Sequence, residues 1–286
     1  RAKGWGITTP NDPDQVVYVW FDALANYLSA LGLGDVDSDG DGTDAYRTWW
    51  LDADERTHVI GKGILRFHAV YWPAFLLSAG LPLPTHLRVH PYLTVEGRKL
   101  SKSSGSVVDP EEIVAAYGTD ALRWWFARDV AEFADTDFTV ERLVARANED
   151  LAGGIGNLVN RLATLVHRYR GGRLAGDAPP LDDAACLPDR VRSLLRRFEL
   201  RRACQVVVDA VAACNQDLER TQPWRLAREP GREADLDALL ARHVASARLI
   251  AEALEPIVPS LAAAARRQLT GPVLPPPEPL FTRITP

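Results

Sequence analysis

One run of residues limits the possible folds more than any other. Thr57-His58-Val59-Ile60 is short and largely β-branched, passes through Gly61-Lys62-Gly63, and enters an apolar-faced stretch from Ile64 to Ala79, after which Leu87-Arg88-Val89-His90 repeats the strand-like pattern. Strand, glycine turn, helix and strand in that order predict a parallel α/β layer, because two parallel strands need a crossover and a helix supplies it. Val16-Val17-Tyr18-Val19-Trp20 reads as a further, buried strand, followed by a helix from Ala23 to Leu31. Tyr92 to Val95 with Glu96-Gly97 predicts a hairpin. Three core strands are too few to close such a sheet, so the layer reads as incomplete.

Beyond Asp109-Pro110 the pattern turns almost wholly helical. Asp109 is suited to cap a helix, with Pro110 at its first position and Glu112 three residues on. Amphipathic stretches follow over Val140–Arg168, Arg190–Arg220 and Ala234–Leu254, with a Gly/Pro/Asp-rich linker at Gly171–Pro188 and a Pro-rich, extended end after Gln268. The expected class is therefore α/β plus all-α. Residues 1–138 form the first part, with a connecting fold, and residues 139–286 form a helical domain.

Composition excludes several classes. The 286 residues are 47% apolar and 25% charged, and no run approaches the 18 or so uninterrupted apolar residues of a membrane span. The chain opens Arg1-Ala2-Lys3 with no apolar signal region, and Cys186, Cys204 and Cys214 fit neither a disulfide framework nor a zinc knuckle. A cytoplasmic protein without a membrane partner and without a metal site is expected. Asp35-Val36-Asp37-Ser38-Asp39-Gly40-Asp41 imitates the start of a calcium loop. Its twelfth position is Tyr46 instead of a bidentate Glu, so it reads as an acidic surface insertion. Residues 1–138 hold 12 basic and 20 acidic side chains, whereas residues 139–286 hold 21 and 18, so the second part is the better match for a polyanion.

There are only four lysines against 29 arginines, and Lys62, Lys99 and Lys102 all fall in glycine- or serine-rich segments. Selection of a compact ammonium over a guanidinium marks such positions. Lys99-Leu100-Ser101-Lys102-Ser103-Ser104-Gly105 suits polyphosphate recognition, with ammonium groups meeting the charge on a departing pyrophosphate. It lacks the spacing of a P-loop.

That segment resembles the KMSKS loop of class I aminoacyl-tRNA synthetases, with Leu100 in the Met position. Trp20-Phe21-Asp22-Ala23-Leu24-Ala25-Asn26-Tyr27 and His58-Val59-Ile60-Gly61-Lys62-Gly63-Ile64-Leu65-Arg66-Phe67-His68 are similar to two segments of the methionyl-tRNA synthetase family. Asn148-Glu149-Asp150-Leu151-Ala152, Gly156-Asn157-Leu158-Val159-Asn160-Arg161 and Pro223-Trp224 are similar to parts of its anticodon-binding bundle. The resemblance implies a Rossmann-like catalytic fold followed by that bundle, with ATP and Mg²⁺ as cofactors and methionine and its tRNA as partners. It implies an amino-acid pocket of Trp20, Ala23, Leu24, Tyr27, Ile64 and His68, where a polarizable thioether packs well on rings. It implies ATP contacts at Gly61, Lys62, His90, Leu93, Ser101, Lys102 and Ser103, with Lys99 and Lys102 catalytic. Asn157 and Arg161, four apart and hence on one helical face, would meet anticodon base edges while Trp224 stacks on an unpaired base. The arginines 190, 192, 196, 197, 201 and 202 read as a solvated face.

Departures from the family are as informative. Gly63 stands where the family usually has Asp, and Pro91 replaces a usual Gly. Leu100 for Met is close to isosteric. The family's initial strands, its HIGH motif and its inserted, often zinc-bearing domain do not appear, so this chain alone is expected not to complete the reaction and no zinc site is expected in it. Two other readings stay open: a synthetase paralogue that activates an amino acid for a non-tRNA acceptor, and a non-catalytic tRNA-binding module.

Overall fold

The computed structural model describes residues 5–35, 43–95, 98–99 and 108–286. Ser101, Lys102 and Ser103 lie outside the described residues, as does most of the aspartate-rich loop, and Lys99 is described only as part of a strand. The chain divides into two compact units, Arg1–Tyr92 and Leu93–Pro286. Residues 93–138, assigned from the sequence to the first part, thus belong with the helices in this division.

In the first unit, β1 (Thr8–Thr9) and β2 (Asp12–Val16) pair antiparallel, and every residue of β2 is exposed. The buried strand expected through Trp20 does not form. The chain instead enters a helix at Val19, running to Ser29. The reason is spacing: Trp20, Leu24 and Leu28 recur every four residues, so a helix aligns all three toward the core and a strand cannot. That core holds Leu24, Leu28, Tyr46, Trp50, Trp72 and Leu76.

The expected parallel unit is present. β3 (Thr57–Gly61) and β4 (His86–His90) pair in parallel, from Thr57 opposite His86 to Gly61 opposite His90. Their crossover departs from the uniform helix expected. It begins as a 3₁₀ turn at Lys62–Ile64, widens to a π-helical stretch at Phe67–Tyr71, and becomes α-helical at Trp72–Ser78. Pro73 has no N–H to return to the carbonyl one turn back, so the regular ladder is interrupted there.

The second unit opens with β5 (Leu93–Val95), paired antiparallel to β6 (Arg98–Lys99) and parallel to β7 (Thr136–Asp137). The Asp109 carboxylate accepts from the Glu111 N–H at 2.8 Å and so caps the helix Pro110–Tyr117, as expected. The helix Thr119–Asp129 follows. Val140–Arg146, a π-helical Ala147–Gly156 and Asn157–Arg170 then run on as one rod. Glu233–Leu254 and Pro259–Leu269 complete the bundle.

The single helix expected over Arg190–Arg220 is instead two, Leu187–Arg196 and Leu200–Thr221, separated by Phe198 at φ 65°. Reversing the chain there lets Val191 and Leu194 share one core with Val207 and Val211, which one straight rod would not allow. The Pro-rich end is extended, as expected, and it is also tied down. Gln268 Nε2 donates to the Pro275 and Pro276 carbonyls, and Asn148 exchanges two hydrogen bonds with the backbone of Ile284. Among the described residues no helix is long and apolar enough to cross a membrane.

Candidate active site and RNA-binding face

In the first unit, Trp20, Ala23, Leu24 and Tyr27 lie on neighbouring faces of the helix Val19–Ser29, and Ile64 and His68 arrive from the crossover after β3. The Tyr27 hydroxyl meets His68 Nε2 at 2.9 Å, and His68 Nδ1 meets the Ile64 carbonyl at 3.0 Å. A carbonyl only accepts, so Nδ1 carries a proton toward Ile64 while Nε2 faces the Tyr27 hydroxyl. The two contacts hold the ring in one orientation. Trp20 stacks on Phe67 at 4.3 Å with an interplanar angle of 10°, and meets His68 edge-on at 6.2 Å. Leu24 is fully buried in the core beneath these rings.

Three ring residues here were not singled out as candidates from the sequence: His58, Phe67 and Trp72. His58 and Phe67 stood inside a quoted segment, but nothing in their spacing announced the contact. Tyr27 lies 4.3 Å from the His58 ring, and Trp72 Nε1 donates to His58 Nε2 at 3.1 Å. Burial first, and then the neighbouring His68, push the His58 imidazole down to about 4, so it is neutral at pH 7. Burial also raises the Tyr27 phenol, which keeps it a donor. A hollow of about 560 Å³ opens beside these residues, with Ala23, Tyr27, Trp49, Trp50 and His58 among its walls.

The second cluster stands at the carboxyl ends of β3 and β4, the edge at which parallel α/β layers take ligands. Gly61 is the register partner of His90, and a Cβ on Gly61 would lie 3.6 Å from the His90 ring. Lys62 Nζ sits 5.0 Å from the centroid of the Tyr92 ring. The Tyr92 hydroxyl fills the space that any side chain at position 63 would need, and its Cζ is 3.2 Å from the Cβ position there. Gly63 is thus matched to Tyr92, a residue the sequence did not single out. His90 Nδ1 donates to the Pro91 carbonyl at 2.9 Å. Leu93 opens β5 in the second unit and packs on that unit's core.

In the second unit, Asn157 is exposed at the start of the helix Asn157–Arg170, and Arg161 follows one turn later. The Arg161 guanidinium lies 5.4 Å from the Trp224 ring centroid and is ion-paired to Glu219. Trp224 is presented by the short helix Pro223–Leu226, reached through Gln222 at φ 44°. Glu219 is a further member that the sequence did not single out. Of the six arginines near residues 190–202, Arg192, Arg197 and Arg202 are engaged by Asp189 and Glu199. Among the described residues no three or more His, Cys, Asp or Glu side chains converge as a metal site.

Residues 1–163 match the family model described as tRNA synthetases class I (M). The methionine–tRNA ligase of Synechocystis is 39% identical over 273 residues, covering 93% of this chain and 50% of that protein. The methionine–tRNA ligase of Deinococcus radiodurans is 38% identical, over 93% of this chain and 38% of its own length. Among solved structures, Mycobacterium tuberculosis methionyl-tRNA synthetase bound by methionyl-adenylate superposes with a TM-score of 0.82 at 33% identity, over 97% of this chain and 58% of that one. The chain therefore spans about half the length, or less, of these two ligases.

Proposed function

The chain belongs to the class I tRNA synthetases of type M, and from that premise we propose that it is part of an enzyme that activates methionine with ATP and ligates it to methionine tRNA. One observation carries this most. Two segments far apart in sequence, Trp20 to Tyr27 and His58 to His68, converge on one ring-walled site with an imidazole held in place at both ring nitrogens. An apolar aromatic wall suits an unbranched thioether, and a fixed histidine offers oriented hydrogen-bonding groups.

In this reading the methionine carboxylate attacks the α-phosphorus of ATP, forming the aminoacyl-adenylate and releasing pyrophosphate. A terminal ribose hydroxyl of the tRNA then attacks the carbonyl carbon and releases AMP. Trp20, Ala23, Leu24, Tyr27, Ile64 and His68 hold the amino acid. Gly61, Lys62, His90 and Leu93 take the nucleotide, and Ser101, Ser103, Lys99 and Lys102 meet its phosphates. Catalysis is positioning plus charge stabilisation. Mg²⁺ would arrive bound to the triphosphate and would offset its charge. Asn157, Arg161 and Trp224 read the anticodon, with the domain boundary at residues 138 and 139. The three free cysteines suit a cytoplasmic setting.

We further propose that a polypeptide segment bearing the HIGH motif completes the catalytic layer. A parallel sheet of two strands with Val59 57% exposed supports this, since parallel sheets are ordinarily covered on both faces. The test is methionine-dependent exchange of pyrophosphate into ATP, measured on this chain alone and after joining it to the HIGH-bearing half of a relative. Exchange only in the joined protein, lost on His68→Ala, is the expected result. Exchange that follows another amino acid would overturn the assignment to methionine.

A further inference from the structure

One surface of the second unit is left unused by these assignments. Phe133, in the turn between the helix Thr119–Asp129 and β7, is 93% exposed, the most exposed large apolar side chain among the described residues. The turn that carries it is anchored, because the Ala131 N–H donates to Thr136 Oγ1 at 2.9 Å and β7 pairs with β5. Phe133 borders a hollow of about 430 Å³, whose other walls include Glu132, Arg201 and Arg202. Arg202 is bonded to Glu199 at 3.0 Å, and Glu199 also takes Arg197, whereas Arg201 has no ion-pair partner among the described residues.

A bare ring beside guanidinium groups is the chemistry that receives an unpaired base and its phosphates. The ring stacks on any base face, and arginine meets the backbone charge. Placement narrows the occupant further. Arg201 and Arg202 begin the helix Leu200–Thr221, and Glu219 and Trp224 stand at its other end. At about 1.5 Å per residue this helix spans roughly 30 Å. An RNA seated on Trp224 needs a reach of that order to meet Arg201 and Arg202 as well.

We propose that Phe133, Arg201 and Arg202 form a second RNA-binding surface, on which an unpaired base of the bound tRNA stacks while the arginines contact its backbone. This rests on the reading that the helical bundle binds tRNA. The test is equilibrium binding of the chain to methionine tRNA and to a minimal anticodon hairpin, across a range of salt concentrations. Phe133→Ala, a change at an almost fully exposed side chain, is expected to weaken tRNA binding about tenfold and to leave hairpin binding unchanged. Arg201→Ala is expected to reduce the log–log salt slope by about 1. Trp224→Ala should weaken both ligands.

Unchanged tRNA affinity in Phe133→Ala and Arg201→Ala, with Trp224→Ala still damaging, overturns the second surface alone. An equal loss on the hairpin in Phe133→Ala also overturns it, since the two ends would then not be separate. A loss in Phe133→Ala with none in Trp224→Ala keeps the surface and overturns the anticodon assignment. Absence of tRNA binding by the parent chain overturns both.

Discussion

The Tyr27 hydroxyl and His68 Nε2, 41 residues apart in the chain, stand 2.9 Å from each other and tie the helix Val19–Ser29 to the crossover that follows β3. His68 is 3% exposed, so an acceptor left unpaired there has little access to water. Tyr27→Phe is expected to destabilise the first unit by about 1–2 kcal/mol and to release the imidazole orientation. Chemical denaturation gives the first quantity and the ¹⁵N shifts of the His68 ring give the second. An unchanged midpoint with an unchanged ring tautomer would mean that packing alone sets the histidine.

His58 makes the stability of the same unit depend on pH. Its imidazole lies at about 4 in the folded chain, against an ordinary 6.5. Between those values the unfolded chain binds more protons than the folded one, so stability is complete above pH 6.5 and falls as pH drops toward 4. Allowing for solvent screening, the loss is on the order of 2 kcal/mol. His58→Gln, which retains an acceptor for Trp72 Nε1, is expected to flatten this slope in urea titrations at pH 7, 5.5 and 4.5. A parallel slope in the variant would place the titration elsewhere.

Gly63 and Tyr92 compete for one volume. Gly63→Ala puts a methyl where the Tyr92 hydroxyl now sits, and the ring must swing away from Lys62 to admit it. Tyr92→Ala should relieve that clash. A double-mutant cycle in thermal denaturation is expected to show a coupling of about 0.5–3 kcal/mol. Additive effects would show that the two residues do not share space in solution.

The last residues of the extended end are held at Ile284 by the Asn148 amide side chain. Asn148 Nδ2 donates to the Ile284 carbonyl at 2.7 Å and its Oδ1 accepts from the Ile284 N–H at 2.9 Å. Asn148→Ala is expected to cost about 1–2 kcal/mol and to make residues beyond Pro279 susceptible to protease. Limited proteolysis followed by mass analysis reads this directly, and equal cleavage rates for parent and variant would contradict it.

Local patterns in the sequence determined a good deal. The period-four recurrence of apolar residues set most of the bundle helices, and β-branched runs beside glycine set β3 and β4. The Asp109 cap was readable because an N-cap acts only on the next turn. Motif order placed Tyr27 near His68, and Arg161 near Trp224, through resemblance to a family. Tertiary structure alone decided what depends on partners distant in the chain. Val16 to Trp20 looked like a strand by composition, and became partly helix because burying Trp20 with Leu24 and Leu28 outweighed β-propensity. Arg190 to Arg220 looked like one rod and was broken at Phe198, because two antiparallel segments bury more than one straight helix does. His58, Phe67, Trp72, Tyr92 and Glu219 joined the candidate sites unannounced. Propensity is written within a few residues, whereas a ring pair, a shared proton or a filled glycine cleft is specified only by the side chains that folding brings from elsewhere.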